Sequence, residues 1–252
     1  MTKAITSIFL ALLGIILCST SCKEDKKQEN PIVEEVRTEA KKELPKVLYV
    51  IAPSGLILRR DDNLQSDQLA KMPYATKVEV LDRPDNSAIE VANISGNMIN
   101  IKFNSMSGFA YNGYLSRFKV PNAKEKSEDY AKRLQVEYPE ATFSTENKEE
   151  NGAPATSVQL SIPAGSWSEA FLVAKQLFDI STEYNFPGLT GLSESSIKSR
   201  QEHGFTSTLD AKRSANDLTS IKYIERAQRL SRIVHITKED NFYILQESVS
   251  TK

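Results

Sequence analysis

The side chains best able to act as nucleophiles or metal ligands are scarce in this chain. It has two cysteines, Cys18 and Cys22, and two histidines, His203 and His235. A thiol nucleophile needs an imidazole or similar base to take its proton. No cysteine follows Cys22, so cysteine-hydrolase chemistry is excluded downstream. A zinc site needs several His or acidic ligands. His203 and His235 stand far apart, and neither opens a close H-x-x-E or H-x-x-x-H pair. A serine nucleophile calls for a G-x-S-x-G elbow or an S-x-x-K pair, and Ser196-Ile197-Lys198-Ser199 supplies no persuasive version of either. Acids are abundant, at 33 Asp and Glu. A glycan-cleaving pair, however, depends on the separation of two carboxylates and not on their number. No glycine-rich loop is present to cradle a phosphate. The expectation is a protein without catalytic residues, metal or cofactor. The 32 basic side chains balance the acids to a net charge of -1, which argues against a nucleic-acid partner.

The remaining chemistry is that of Cys22. Lys3 is followed by an apolar run from Ala4 to Leu17, then Ser19, Thr20 and Ser21. A basic start and a short apolar stretch are the build of a secretory signal, here residues 1–21. The run is shorter than the roughly 20 apolar residues of a membrane-spanning helix. The small residue before Cys22 resembles the lipobox of bacterial lipoproteins, with Ser19 where leucine is favoured. The resemblance implies that the Cys22 thiol takes a diacylglyceryl group and becomes the new N-terminus. Cys18 fits less well, because Leu17 precedes it. Several acyl chains together give stable membrane anchoring, at about 0.8 kcal/mol per buried CH₂. Lys23-Glu24-Asp25 resembles the surface-export signal of Bacteroidetes lipoproteins, and a solvated tether is the alternative. An outer-membrane anchor is expected, with the periplasmic or surface face left open. Residues 22–45 are charged, carry Pro31 and Pro45, and read as a linker.

The elements beyond the linker begin at Lys46, where the pattern changes to period two. Val47 to Ala52, Leu56 to Arg59, Lys77 to Leu81, Ala88 to Ile94 and Asn97 to Phe103 read as short strands. Leu69 and Met72 read as part of a turn after the polar loop Asp61-Asp62-Asn63. Three stretches carry a family likeness: Ser54 to Arg59, Leu69 to Val80, and Gly108-Phe109-Ala110-Tyr111-Asn112-Gly113-Tyr114-Leu115. Together they resemble a bacterial SH3-like domain over about residues 47–118, within a module of residues 46–120. Met98 replaces a Trp common in that family, and Ala75 replaces its usual Gly. The resemblance implies a small β-barrel that binds cell-wall peptide or accompanies a wall hydrolase. Phe103 and Phe109 are expected in its core. Tyr74, Tyr111 and Tyr114 keep a polar tip, and are candidates to line a groove as well as to pack.

Residues 121–140 read as a helical connector, with Tyr130, Leu134 and Tyr138 spaced four apart and Pro139 as the stop. Residues 141–252 read as an α+β domain with an antiparallel sheet and one main helix. That helix opens on Ser166-Trp167-Ser168-Glu169, a capping box in which Glu169 returns to the Ser166 N–H. Trp167 is expected to pack and not to stack on a ligand. Residues 185–217 read as a long loop, 219–230 as helix or strand, and 233–245 as a hairpin. The overall fold class is mainly β with an α+β half. The function expected is that of a membrane-anchored envelope lipoprotein with a non-catalytic binding module for cell-wall peptide or an envelope protein. The alternatives are a structural or assembly lipoprotein working through protein contacts, and a wall enzyme of unrecognised type.

Overall fold

The computed structural model describes residues 46–150, 153–198 and 204–251. The expected signal peptide, Cys22, the linker, the Asn151-Gly152 turn and His203 lie outside the described residues. The described part is mostly β, with antiparallel sheets and two α-helices.

The first half contains β1 (Val47–Val50), β2 (Leu56–Arg59), β3 (Gln68–Met72), β4 (Lys77–Asp82), β5 (Ile89–Val91), β6 (Ile94–Gly96), β7 (Met98–Phe103), β8 (Met106–Tyr111) and β9 (Leu115–Ser116). Seven of these form one sheet in the order β3-β2-β8-β7-β4-β1-β9, and β5 pairs only with β6. Alternation drives the arrangement. Leu48 and Val50 of β1, Leu56 and Leu58 of β2, and Ile99 and Ile101 of β7 turn into a common core. Strands from both ends of the sheet supply that core, so the sheet wraps around it. Met98 is 1% exposed inside it, and Phe103 and Phe109 are half-buried against it. Leu69 and Met72 belong to β3 and not to a turn. Only one of that strand's edges is paired, so just Met72 is buried and the alternation was weak.

The second half contains α1 (Ser127–Gln135), β10 (Thr142–Glu150), β11 (Ala153–Ile162), α2 (Trp167–Leu177), β12 (Glu194–Lys198), β13 (Thr206–Ser214), β14 (Asp217–Arg226), β15 (Leu230–Glu239) and β16 (Phe242–Thr251). All seven strands make one antiparallel sheet, in the order β10-β11-β16-β15-β14-β13-β12. Much of the expected 185–217 loop is therefore sheet, and 219–230 contributes strand and no helix. Two features hid this. Arg213 sits at an inward position of β13, 7% exposed, where a hydrophobic residue would have marked the strand. The β13–β14 turn uses Ala215 and Asn216, both at positive φ, in place of the Asn-Gly signal.

The two halves share a core. Ile51 and Ile94 from the first half join Phe118, Tyr130, Phe171 and Leu245 in one buried cluster. The connector helix α1 is therefore packed on the protein, with Tyr130, Ala131 and Leu134 buried.

Ala75 adopts φ +63 between β3 and β4, with its N–H bonded to the Val50 carbonyl at 2.9 Å. A left-handed conformation costs an L-residue about 1–2 kcal/mol, against a glycine entropy penalty of about 0.5–1 kcal/mol. Ala75→Gly is therefore expected to gain about 0.5–1 kcal/mol in urea unfolding. A loss of stability would show that the Ala75 methyl group packs usefully.

Candidate functional site

Of the three tyrosines singled out by sequence, the fold brings two together. Tyr111 ends β8, and one turn of 3-10 helix, Asn112–Tyr114, follows it. The Tyr111 and Tyr114 rings meet edge to face, with centroids 5.9 Å apart. Glycine at position 113 permits this approach, since a Cβ there would lie 2.5 Å from the Tyr111 ring. Tyr111 is 3% exposed, and its hydroxyl donates to the Ile94 carbonyl, tying the β5–β6 hairpin to β8. Burial pushes its phenol up to about 12, which keeps it a neutral donor. Tyr114 is half-buried, and burial raises its phenol too. Tyr74 lies elsewhere. Its hydroxyl donates to the Pro121 carbonyl at 2.7 Å and its ring packs on the shared core.

Two cavities open where the halves meet, and Phe186 lines both. The first is mainly apolar, about 490 Å³. The 52–57 turn, the β5–β6 hairpin, Met98, Tyr111 and Tyr114 form one wall, and Phe171, Leu172, Lys175 and Phe186 form the other. That size suits a small-molecule or short-peptide ligand. The second is mixed in character, about 550 Å³, with Arg83, Glu90, Asn93 and Arg117 beside Leu48, Ile99 and the start of α2 in its lining. Tyr74 lines neither.

The seam is fixed by a carboxylate whose partners the sequence did not reveal. Ser166 caps α2 as expected, its hydroxyl accepting from the Glu169 N–H at 3.1 Å. The Glu169 side chain, however, does not return to the Ser166 N–H. Its Oε1 accepts from Ser116 Oγ and from the Arg117 N–H, each at 2.8 Å, and its Oε2 accepts from the Gly165 N–H at 2.7 Å. Glu169 therefore leaves the expected capping box half-formed, with the Ser166 cap present and its own carboxylate engaged elsewhere. The end of β9 lies close enough to offer donors that the isolated helix lacks. The Arg117 guanidinium lies over Gly165, where a Cβ would meet it at 2.1 Å and displace it.

Arg213 organises the cavity wall after α2. Its guanidinium donates to the carbonyls of Pro187, Gly188, Leu189 and Leu192 and to Ser195 Oγ. Asn93 Nδ2 donates to the Phe186 carbonyl at 3.0 Å, joining the first half to the same wall. Trp167 packs edge to face on Tyr243 at 5.0 Å, the packing role expected of it, and also lines the second cavity. His235 is half-buried on β15, where burial and then Lys222 lower its pKa. Among the described residues no group of three or more His, Cys, Asp or Glu could hold a metal ion. None of the described helices is long and apolar enough to cross a membrane.

Sequence reasoning missed Glu169 as a junction residue, Arg213, and Lys175. Lys175 stands four residues after Phe171, at the edge of the helix's apolar stripe, which is the one signal that pointed to it.

No protein-family model matches this chain, and no curated protein does. Among solved structures a tesB protein of Mycobacterium avium subs paratuberculosis aligns with 84% of this chain and 80% of its own, at 10% identity and a TM-score of 0.18. A likeness of that order carries no argument about fold or function.

Glu169→Gln replaces one acceptor oxygen by an amide that faces N–H donors. Hydrogen bonds to charged groups contribute about 1.5–3 kcal/mol each. Glu169→Gln is expected to lose about 2–4 kcal/mol in urea unfolding, more than the loss of about 1 kcal/mol for removing the Ser166 cap with Ser166→Ala. The reverse order would mean that Glu169 acts only within its own helix.

Proposed function

We propose that this chain is a lipid-anchored protein of the bacterial cell envelope whose first half is a non-catalytic, SH3-like binding module for cell-wall peptide. The reading rests chiefly on one observation: the Tyr111–Tyr114 pair, in the stretch most like the family's closing motif, forms a wall of an apolar cavity of about 490 Å³. Further support comes from Ala75, whose positive φ occupies the position where the family carries glycine. Tyr111 and Tyr114 would hold the ligand and Tyr74 would brace the module against the second half. Cys22, with its apolar lead and small preceding residues, would carry the lipid.

A second reading is an assembly lipoprotein that acts only through protein contacts. Leu189 and Leu192, 49% and 76% exposed after α2, favour it. Exposed leucines held in place by a buried arginine suit a protein surface better than a small ligand.

The mature chain should be tested whole, because a 46–120 fragment would bare Ile51 and Ile94 of the shared core. The expected outcome is retention of the chain on purified peptidoglycan, a loss of about tenfold in retained protein for Tyr114→Ala, and no release of wall fragments. Palmitate labelling in cells should disappear in Cys22→Ser. No retention, with crosslinks to a protein through position 192 instead, would favour the second reading.

A further inference from the structure

Several half-buried cations of this protein are matched by carboxylates. Arg133 pairs with Glu125 at 2.6 Å, Arg232 with Glu225 at 2.7 Å and Glu247 at 3.3 Å, and Arg117 lies 3.7 Å from Glu169. Arg213 lacks a carboxylate, but its guanidinium is wrapped by five oxygen acceptors. Lys175 has neither arrangement. Its ammonium donates to the Tyr184 carbonyl and, at 3.4 Å, to the Thr182 carbonyl, with the Phe171 ring centroid 6.0 Å away. Among the described residues no carboxylate lies within ion-pairing distance of it. An ammonium has three donors, and these two carbonyls take two of them.

Lys175 also lines the mainly apolar cavity, together with Phe171, Leu172, Phe186, Tyr111 and Tyr114. A second cation, Arg59, lines the same cavity, and among the described residues its side chain donates to the Ser66 carbonyl alone, at 2.7 Å. Apolar walls with a cation at the edge are complementary to one kind of small ligand. We propose that this cavity binds a carboxylate carried on an apolar body, with the carboxylate on Lys175 and the apolar part against Tyr111, Tyr114, Phe171, Leu172 and Phe186. The third N–H of Lys175 then gains a charged acceptor, and the ammonium gains the counter-ion that the fold gives to Arg133 and Arg232. Burial already holds the Lys175 amine below the usual lysine value, and a bound carboxylate would oppose that shift. The carboxylate could be the C-terminus of a short apolar peptide or the head of a fatty acid.

This inference rests on the proposed function only in taking the cavity as a binding site; it depends on neither the wall nor the anchor. The test is calorimetric titration of the whole mature chain with four probes: acetyl-Leu-Ala with a free C-terminus, its C-terminal amide, decanoate and decanol. The expected result is that at least one carboxylate binds about ten- to hundredfold more tightly than its uncharged partner, the worth of one charge-assisted hydrogen bond. Lys175→Met should abolish that preference and Lys175→Arg should restore most of it, with unchanged circular dichroism for both. The peptide pair against the fatty pair identifies the source. Equal binding of charged and uncharged probes, no binding of any probe, or a preference that survives Lys175→Met would overturn the inference. Carboxylate preference without peptidoglycan retention would leave the inference standing and remove the wall ligand. Retention without carboxylate preference would do the opposite.

Discussion

The Glu169 carboxylate is the constraint on which the junction depends. It is 9% exposed, and it accepts hydrogen bonds from β9, from the residue after β9 and from the residue before α2's cap. A buried carboxylate is costly to desolvate unless it is fully hydrogen-bonded, and here its donors come from segments about fifty residues apart in sequence. Its position in the first turn of α2 adds a favourable interaction with the helix dipole. Satisfying this one group therefore requires the two halves to meet in one relation. At the other end of α2, Arg232 donates to the Phe178 carbonyl and, at 3.2 Å, to the Asp179 carbonyl while pairing with Glu225 and Glu247. Both ends of the helix are thus pinned by charge, and its middle buries Ala170, Phe171, Val173 and Ala174.

Pinning α2 is what gives the cavities their shape. Phe171, Leu172 and Lys175 face the first half from successive turns of one fixed helix. The opposite wall is held by the Tyr111 hydroxyl on the β5–β6 hairpin and by the tight Gly113 turn. Asn93 then bridges the hairpin to the Phe186 carbonyl. A cavity walled by the first sheet, the β5–β6 hairpin and a capped helix loses little entropy on binding, because its side chains are already ordered. The shared core from Ile51 to Leu245 carries the same rigidity through the molecule.

The sequence was most legible where one residue's environment decides its conformation. Alternation exposed β1, β2, β4 and β7, and Ser166 announced the start of α2. Tyr111 and Tyr114 stood out as groove candidates together with Tyr74, and only the fold pairs the first two and sets the third apart. What escaped was partnership between distant segments. Glu169 has the right spacing for a capping box, and only the proximity of Ser116 and Arg117 diverts it. Arg213 broke the pattern of β13 because its charge is met by backbone carbonyls, which no side-chain pattern reports. Lys175 looks like an ordinary solvated helix residue until Phe186 and the first half are placed beside it.

The junction is tested most directly by equilibrium urea unfolding of the mature chain, read at two places in one experiment. Trp167 is the only tryptophan and sits at the seam, so its fluorescence reports α2 against the sheet. Amide exchange in β7 reports the core of the first half. Two halves with a shared core and a shared carboxylate should unfold together, with both transitions at the same urea concentration. Exchange of the β7 amides at concentrations where Trp167 fluorescence is still native would contradict the account, because it would show a first half that folds and unfolds independently of Glu169.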